Sequence, residues 1–123
     1  MAQHNELGKW GEDMAAKFLE EKGYHIVACD WKDNHKDIDI VAIDTDTLVF
    51  VEVKTRRNDY FLQPEQAVNG KKIKNITLAA NRFIKMHQID LQIRFDIISI
   101  VGTDESNCKI NHIEDAFLPY YFR

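Results

Sequence analysis

The sequence is poor in cysteine: Cys29 and Cys108 are the only two, and they sit in unrelated contexts. Two isolated thiols cannot build a zinc cage, and His4, His25, His35, His87 and His112 lack metal-motif spacing such as His-Glu-x-x-His. A structural zinc site is therefore not expected. Proline (2) and glycine (5) are scarce, while 45% of residues are hydrophobic and 29% charged, which excludes a disordered or collagen-like chain. Long apolar runs are absent too. Stretches such as Leu48 to Val51 fall far short of the roughly 20 residues that cross a bilayer. The opening Met-Ala-Gln-His-Asn-Glu has neither the basic start nor the apolar stretch of a secretory signal. The expectation is a cytoplasmic, reduced protein without a membrane span, and 123 residues fit one domain over 1–123.

An overall positive charge is also missing. The formal net charge is −4, which argues against a nucleic-acid partner only if the charge is spread evenly. Residues 1–53 carry 5 Lys/Arg against 12 Asp/Glu, residues 54–87 carry 8 against 2, and residues 88–123 carry 3 against 6. A basic middle segment between acidic flanks suits one localised anionic partner, and equally a solvated helix face.

Hydrophobic periodicity divides the chain. Leu7, Trp10, Met14, Ala15, Phe18 and Leu19 give three-and-four spacing, which predicts a helix over Glu6 to Lys22 stopped at Gly23. His25 to Trp31 reads as a strand followed by a polar turn at Lys32 to Lys36. Asp37 to Ile43 and Leu48 to Thr55, both rich in Ile and Val, read as a hairpin about Thr45-Asp46. Lys71 to His87 is a second helix with Ile73, Ile76, Ala80, Phe83, Ile84 and His87 on its core stripe. Gln92 to Val101 and Cys108 to Ile113 complete the strands, and Trp10 and Trp31 are read as packing residues. The order points to an α/β sandwich around a mixed sheet.

The hairpin carries the chemistry. With the turn centred between Thr45 and Asp46, Ile43 faces Leu48, Val41 faces Phe50, Asp39 faces Glu52 and Asp37 faces Lys54, all on one side of the strands. Two carboxylates opposed in a half-buried sheet repel and need compensation. A divalent cation supplies it, because Mg²⁺ takes hard oxygen ligands and is commonly held by one or two carboxylates, here Asp39 and Glu52. Lys54, two residues past Glu52 on the same side, is then placed to orient a water or stabilise charge on a reacting phosphate. The plainer alternative is a solvated Glu-x-Lys strand with an Asp39–Lys54 salt bridge.

Ile38-Asp39 followed by Val51-Glu52-Val53-Lys54 resembles the bipartite Asp and Glu-x-Lys motif of the PD-(D/E)XK nuclease superfamily, with Ile38 in place of the usual proline. Gly11-Glu12-Asp13-Met14-Ala15, Gly23-Tyr24, Asp37 to Ala42, Phe50 to Arg56, Ala67-Val68 and Arg94-Phe95-Asp96 are similar to the YraN-like family, which is akin to archaeal Holliday-junction resolvases. The resemblance runs from about Leu7 to Phe117. It implies a restriction-endonuclease-like α-β-β-β-α-β core with a mixed central sheet flanked by helices. It also implies Mg²⁺ or Mn²⁺ at Asp39 and Glu52, Lys54 as the catalytic lysine, Glu12 as an added acidic residue from the first helix, and Gln66 as a polar helper.

The expected activity is metal-dependent hydrolysis of phosphodiester bonds in DNA, branched DNA included. The alternative is a non-catalytic nucleic-acid-binding or protein-interaction module on the same fold. Arg56, Arg57, Lys71, Lys72, Lys74, Arg82 and Lys85 are the expected phosphate contacts. The aromatic terminus, Phe117-Leu118-Pro119-Tyr120-Tyr121-Phe122, leaves two readings open: fold-back onto its own subunit, or the contact of a homodimer.

Overall fold

The computed structural model describes residues 2–58 and 69–119. The described residues form seven elements in chain order: α1 (Ala2–Glu21), β1 (His25–Asp33), β2 (Lys36–Asp44), β3 (Thr47–Arg56), α2 (Gly70–His87), β4 (Gln92–Asp104) and β5 (Asn107–Ile113). The strands form one sheet in sequential order, β1-β2-β3-β4-β5. The β3/β4 pair alone is parallel and the others are antiparallel. Parallel neighbours require a crossover, and α2 lies in it. The expected α-β-β-β-α-β core is present, with β5 added at the edge.

Among the described residues, one helix covers each sheet face. On the α1 side, Ala15 and Leu19 pack on Ile40, Ala42, Val49, Val51, Val53, Ile98 and Ile100. On the α2 side, Ile76, Ala79, Ala80 and Phe83 pack on Ile38, Val41, Leu48, Phe50 and Phe95. Strand alternation sends Leu48 and Phe50 one way and Val49 and Val51 the other, so β3 is buried on both faces. Phe83 meets Trp31 and Phe50 edge-on, with centroids 5.3 and 5.9 Å apart.

α1 ends where Gly23 takes φ +95°, a conformation open to glycine, and Tyr24 N–H returns to Leu19 C=O at 3.0 Å. The β1–β2 turn uses Asn34 and His35, both at positive φ, which matches the strand twist of a two-residue hairpin. β1 therefore runs past the expected Trp31 to Asp33, and the polar turn shrinks to two residues. On α2 the core stripe needs one correction: His87 is exposed, its ring lying 4.2 Å from that of Phe83. Thr77 is buried on this helix, its hydroxyl donating to Ile73 C=O at 2.7 Å.

A buried polar cluster ties the end of α1 to β4 and β5. Asp96 is fully buried and accepts from Arg94 Nε and Nη2, both at 2.9 Å, and from Asp115 N–H at 3.0 Å. It also pairs at 2.8 Å with His112 Nε2, whose Nδ1 lies 2.7 Å from the Lys22 ammonium. Arg94 extends the cluster to Asp44 at 3.0 Å and to the Tyr24 hydroxyl at 2.6 Å. Just beyond, Phe117 folds back onto Phe95, with ring centroids 5.4 Å apart. Tyr120, Tyr121 and Phe122 lie outside the described residues. Among the described residues no helix is long and apolar enough to cross a membrane.

Candidate active site

The β2–β3 hairpin turns at Thr45-Asp46, and its ladder runs from Asp44↔Thr47 through Ile43↔Leu48 and Val41↔Phe50 to Ile40↔Val51. There it stops. The expected backbone pairing of Asp39 with Glu52 and of Asp37 with Lys54 is corrected: the strands diverge just before the first carboxylate is reached. On the neighbouring strand, Cys29 pairs with Ile40 and Trp31 with Ile38 in continuous register, with Asp30 and Asp39 between the paired positions. Asp30 adopts φ +50°. Face alternation slips at the same place, since Ile38 packs in the α2 layer and Ile40 in the α1 layer. At the fork the Asp39 carboxylate replaces a backbone carbonyl, its Oδ2 accepting the Val53 N–H at 2.8 Å.

Asp39 is thus held by the protein and short of charge compensation. Burial pushes its carboxyl up to about 8, helped by the charges of Glu52, Glu12 and Asp37, and the Val53 N–H only partly offsets this. Glu12 reaches the same place from α1. Its carboxyl is also raised, by burial and by Asp30 and Asp37, while a side-chain hydrogen bond with Asp39 works the other way. Glu52, on β3, is 5% exposed. Its Oε2 receives two ammonium groups, Lys54 Nζ at 3.3 Å and Lys72 Nζ at 3.2 Å. Lys54 therefore pairs with Glu52, in place of the Asp39–Lys54 bridge of the plainer reading.

Gly11 explains how Glu12 comes so close. A Cβ added there would collide with the Thr55 hydroxyl and lie 3.0 Å from Thr55 Cβ, so α1 crosses β3 at a distance open only to glycine. Turning the Thr55 side chain moves its hydroxyl but leaves its Cβ in place. Gly11→Ala is therefore expected to destabilise the domain by about 1–3 kcal/mol through overpacking, although alanine is the better helix former by about 1 kcal/mol. Urea denaturation checks the sign, and a variant as stable as the parent contradicts the close crossing.

The donor set fits a hard divalent cation. The carboxylates of Asp39 and Glu52 interact across adjacent strands, and burial and like charge raise the Asp39 carboxyl above its ordinary value. Among the described residues no group of three acidic, His or Cys side chains already forms a metal cage. Mg²⁺ keeps several waters and takes one or two carboxylates, and Asp39 and Glu52 are the pair that could hold such an ion.

The other expected site residues separate. Gln66 lies outside the described residues. Arg56 ends β3 and Arg57 follows it; Arg57 lines an open cavity of ≈ 390 Å³ with Gly102 and Lys109. Lys71, Lys74, Arg82 and Lys85 are exposed on α2. Arg82 is tied to Asp33 at 3.3 Å, and Lys85 stands about 20 Å along the helix from Lys72 at 1.5 Å per residue. Lys72 turns in from α2 to Glu52. No strand pattern signals that contact; the only sequence hint is a helix that opens on lysines with no acidic residue in its first turn.

The chain is similar to known proteins over nearly its whole length. The "UPF0102 protein" of Bacteroides thetaiotaomicron is 50% identical over 99% of this chain and all of its own length. That of Porphyromonas gingivalis is 44% identical over 95% of this chain and 87% of its own, and that of Flavobacterium psychrophilum 43% over 99% and 100%. The family described as "Uncharacterised protein family UPF0102" matches residues 11–100, a span that includes Glu12, Asp39, Glu52, Lys54 and Lys72, and the chain belongs to that family.

Proposed function

We propose that the protein is a divalent-metal-dependent endonuclease that hydrolyses phosphodiester bonds in DNA. The observation that carries this reading is the strand fork. There the half-buried Asp39 carboxylate accepts the Val53 N–H, beside a buried Glu52 that holds Lys54 on its Oε2. Such a meeting of half-buried and buried carboxylates costs stability, and a fold has reason to keep it where a cation or a reacting phosphate repays the cost.

When bound, a divalent ion supplies charge neutralisation and an acidified water. The protein's own groups do the rest. Asp39 is fixed in orientation by the Val53 N–H, so its free oxygen is aimed before any ligand arrives. Lys54 is 22% exposed and anchored on Glu52, which places a positive charge where negative charge develops on a phosphoryl oxygen. Glu12 borders the site from α1 and is placed to accept a proton from an attacking water. Arg56, Arg57, Lys71 and Lys74 lie around the C-terminal end of β3 and the first turns of α2, where they would take flanking phosphates.

The test is an assay with Mg²⁺ or Mn²⁺ on four-way junction, flap, nicked and linear DNA, run beside Glu52→Gln. Cleavage of at least one substrate by the parent and not by the variant is expected. Salt-sensitive binding of both to DNA without cleavage would identify the non-catalytic nucleic-acid module instead.

A further inference from the structure

Lys72 occupies an unusual place for a residue expected on a DNA-facing helix. It is the third residue of α2, and the Asn69 side chain accepts its backbone N–H at 3.0 Å, so the first turn is fixed at both ends. Helical side chains lean toward the N-terminus, which carries this ammonium onto the end of β3. There it meets Glu52 Oε2 at 3.2 Å, on the same oxygen that Lys54 meets at 3.3 Å. One carboxylate charge needs one counter-ion, and here it has two. Lys71 and Lys74, its neighbours in the same turn, are exposed.

Helix electrostatics make the placement costly. The N-terminus of a helix carries partial positive charge and favours acidic residues; α2 opens with Lys71 and Lys72 and has no acid in that turn. Glu52 offsets the cost at Lys72. A cation entering at Glu52 removes this compensation and meets Lys72 as a like charge. Lys54 is the more enclosed of the two, 22% exposed against 38% for Lys72, so Lys72 is the one with room to leave.

We propose that Lys72 is a second lysine of the reaction centre, a positioning residue that holds Glu52 in the ion-free protein and swings to a substrate phosphate when a divalent cation takes Glu52. The inference rests on the metal-dependent reading above and adds to it a competition between an ammonium and a metal ion for one carboxylate. It also separates Lys72 from the surface phosphate contacts among which its sequence position groups it.

Calorimetry with Mn²⁺ alone tests this on the full chain and on Lys72→Met, Lys72→Arg, Lys71→Met and Glu52→Gln. Removing a like charge near the ion is expected to make Lys72→Met bind Mn²⁺ about three- to tenfold more tightly. Lys72→Arg, which keeps the charge, and Lys71→Met, which removes an exposed one, are expected to keep the parent affinity. In a cleavage assay Lys72→Met is expected to raise KM for DNA more than Lys71→Met does. Unchanged Mn²⁺ affinity in Lys72→Met, or an equal change in Lys71→Met, overturns the role of Lys72 and leaves the metal site standing. A parent protein that does not bind Mn²⁺, or a Glu52→Gln variant that binds it as well as the parent, overturns the metal reading itself and this proposal with it.

Discussion

Alanine at position 96 is expected to cost about 3–5 kcal/mol of folding free energy, the usual penalty for removing one partner of a buried ion pair. Asp96 is fully buried, and its loss takes from Arg94 two of its hydrogen bonds, leaving it those to Asp44 and the Tyr24 hydroxyl, and takes their shared partner from the His112 ring and the Asp115 N–H. Marginal stability is only about 5–15 kcal/mol, so a large share of it is at stake. The milder Asp96→Asn gives the pH signature. Burial works to raise the Asp96 carboxyl, but hydrogen bonds from His112, Arg94 and the Asp115 N–H outweigh it and hold it below the ordinary carboxylate value. Its stabilising effect is therefore complete above the unfolded-state pKa, about 3.9, and is lost as pH falls through the lower native value. Urea denaturation should show a parent-to-Asn difference that is flat near neutrality and shrinks below about pH 4. A difference that widens toward acid would refute the assignment.

Asp39→Asn is expected to do the opposite to the fold while destroying the site. Without metal the Asn side chain still offers an oxygen to the Val53 N–H, and the burial and like-charge penalty that pushes the native carboxyl up to about 8 disappears. A gain of about 2 kcal/mol is expected. For a domain of this size that is a rise of several degrees in Tm. The same variant should lose Mn²⁺-induced stabilisation and at least about 10³-fold in cleavage rate, on the scale of several kcal/mol that a metal contributes to the transition state. Thermal melts of both proteins with and without Mn²⁺ give a crossing: the variant higher without ion, the parent gaining when ion is added. Lower stability of the ion-free variant would mean that the carboxylate is structural.

How much of this was legible in the sequence depends on the range of the interaction. The Thr45-Asp46 turn and the Ile43/Leu48 and Val41/Phe50 pairs follow from local parity, and the structure keeps them. Parity extended past Ile40 fails, because face alternation slips at Asp39, beside the left-handed Asp30 on a neighbouring strand, and nothing within the hairpin announces it. The acidic pair and Lys54 were visible as a motif, whereas their mode of contact was not. Glu12 needed the Gly11–Thr55 crossing to bring it near, and Lys72 is separated from Glu52 by twenty residues of sequence. The Asp96 cluster was missed as chemistry, although its signal was present: an acid in the apolar run Phe95-Asp96-Ile97-Ile98 with an arginine two residues earlier on the same face of the strand.

The fork between β2 and β3 also gives the protein a spectroscopic reporter. The amide of Val53 is bonded to a carboxylate oxygen where a strand ladder would supply a carbonyl, so its proton resonance senses the charge on Asp39 directly. In a ¹⁵N-correlated NMR spectrum that one peak should move when a diamagnetic ion such as Mg²⁺ arrives, while the amide of Val51, on the ladder pair with Ile40, stays nearly still. Occupancy of the site becomes readable at a single backbone position, with no substrate and no turnover.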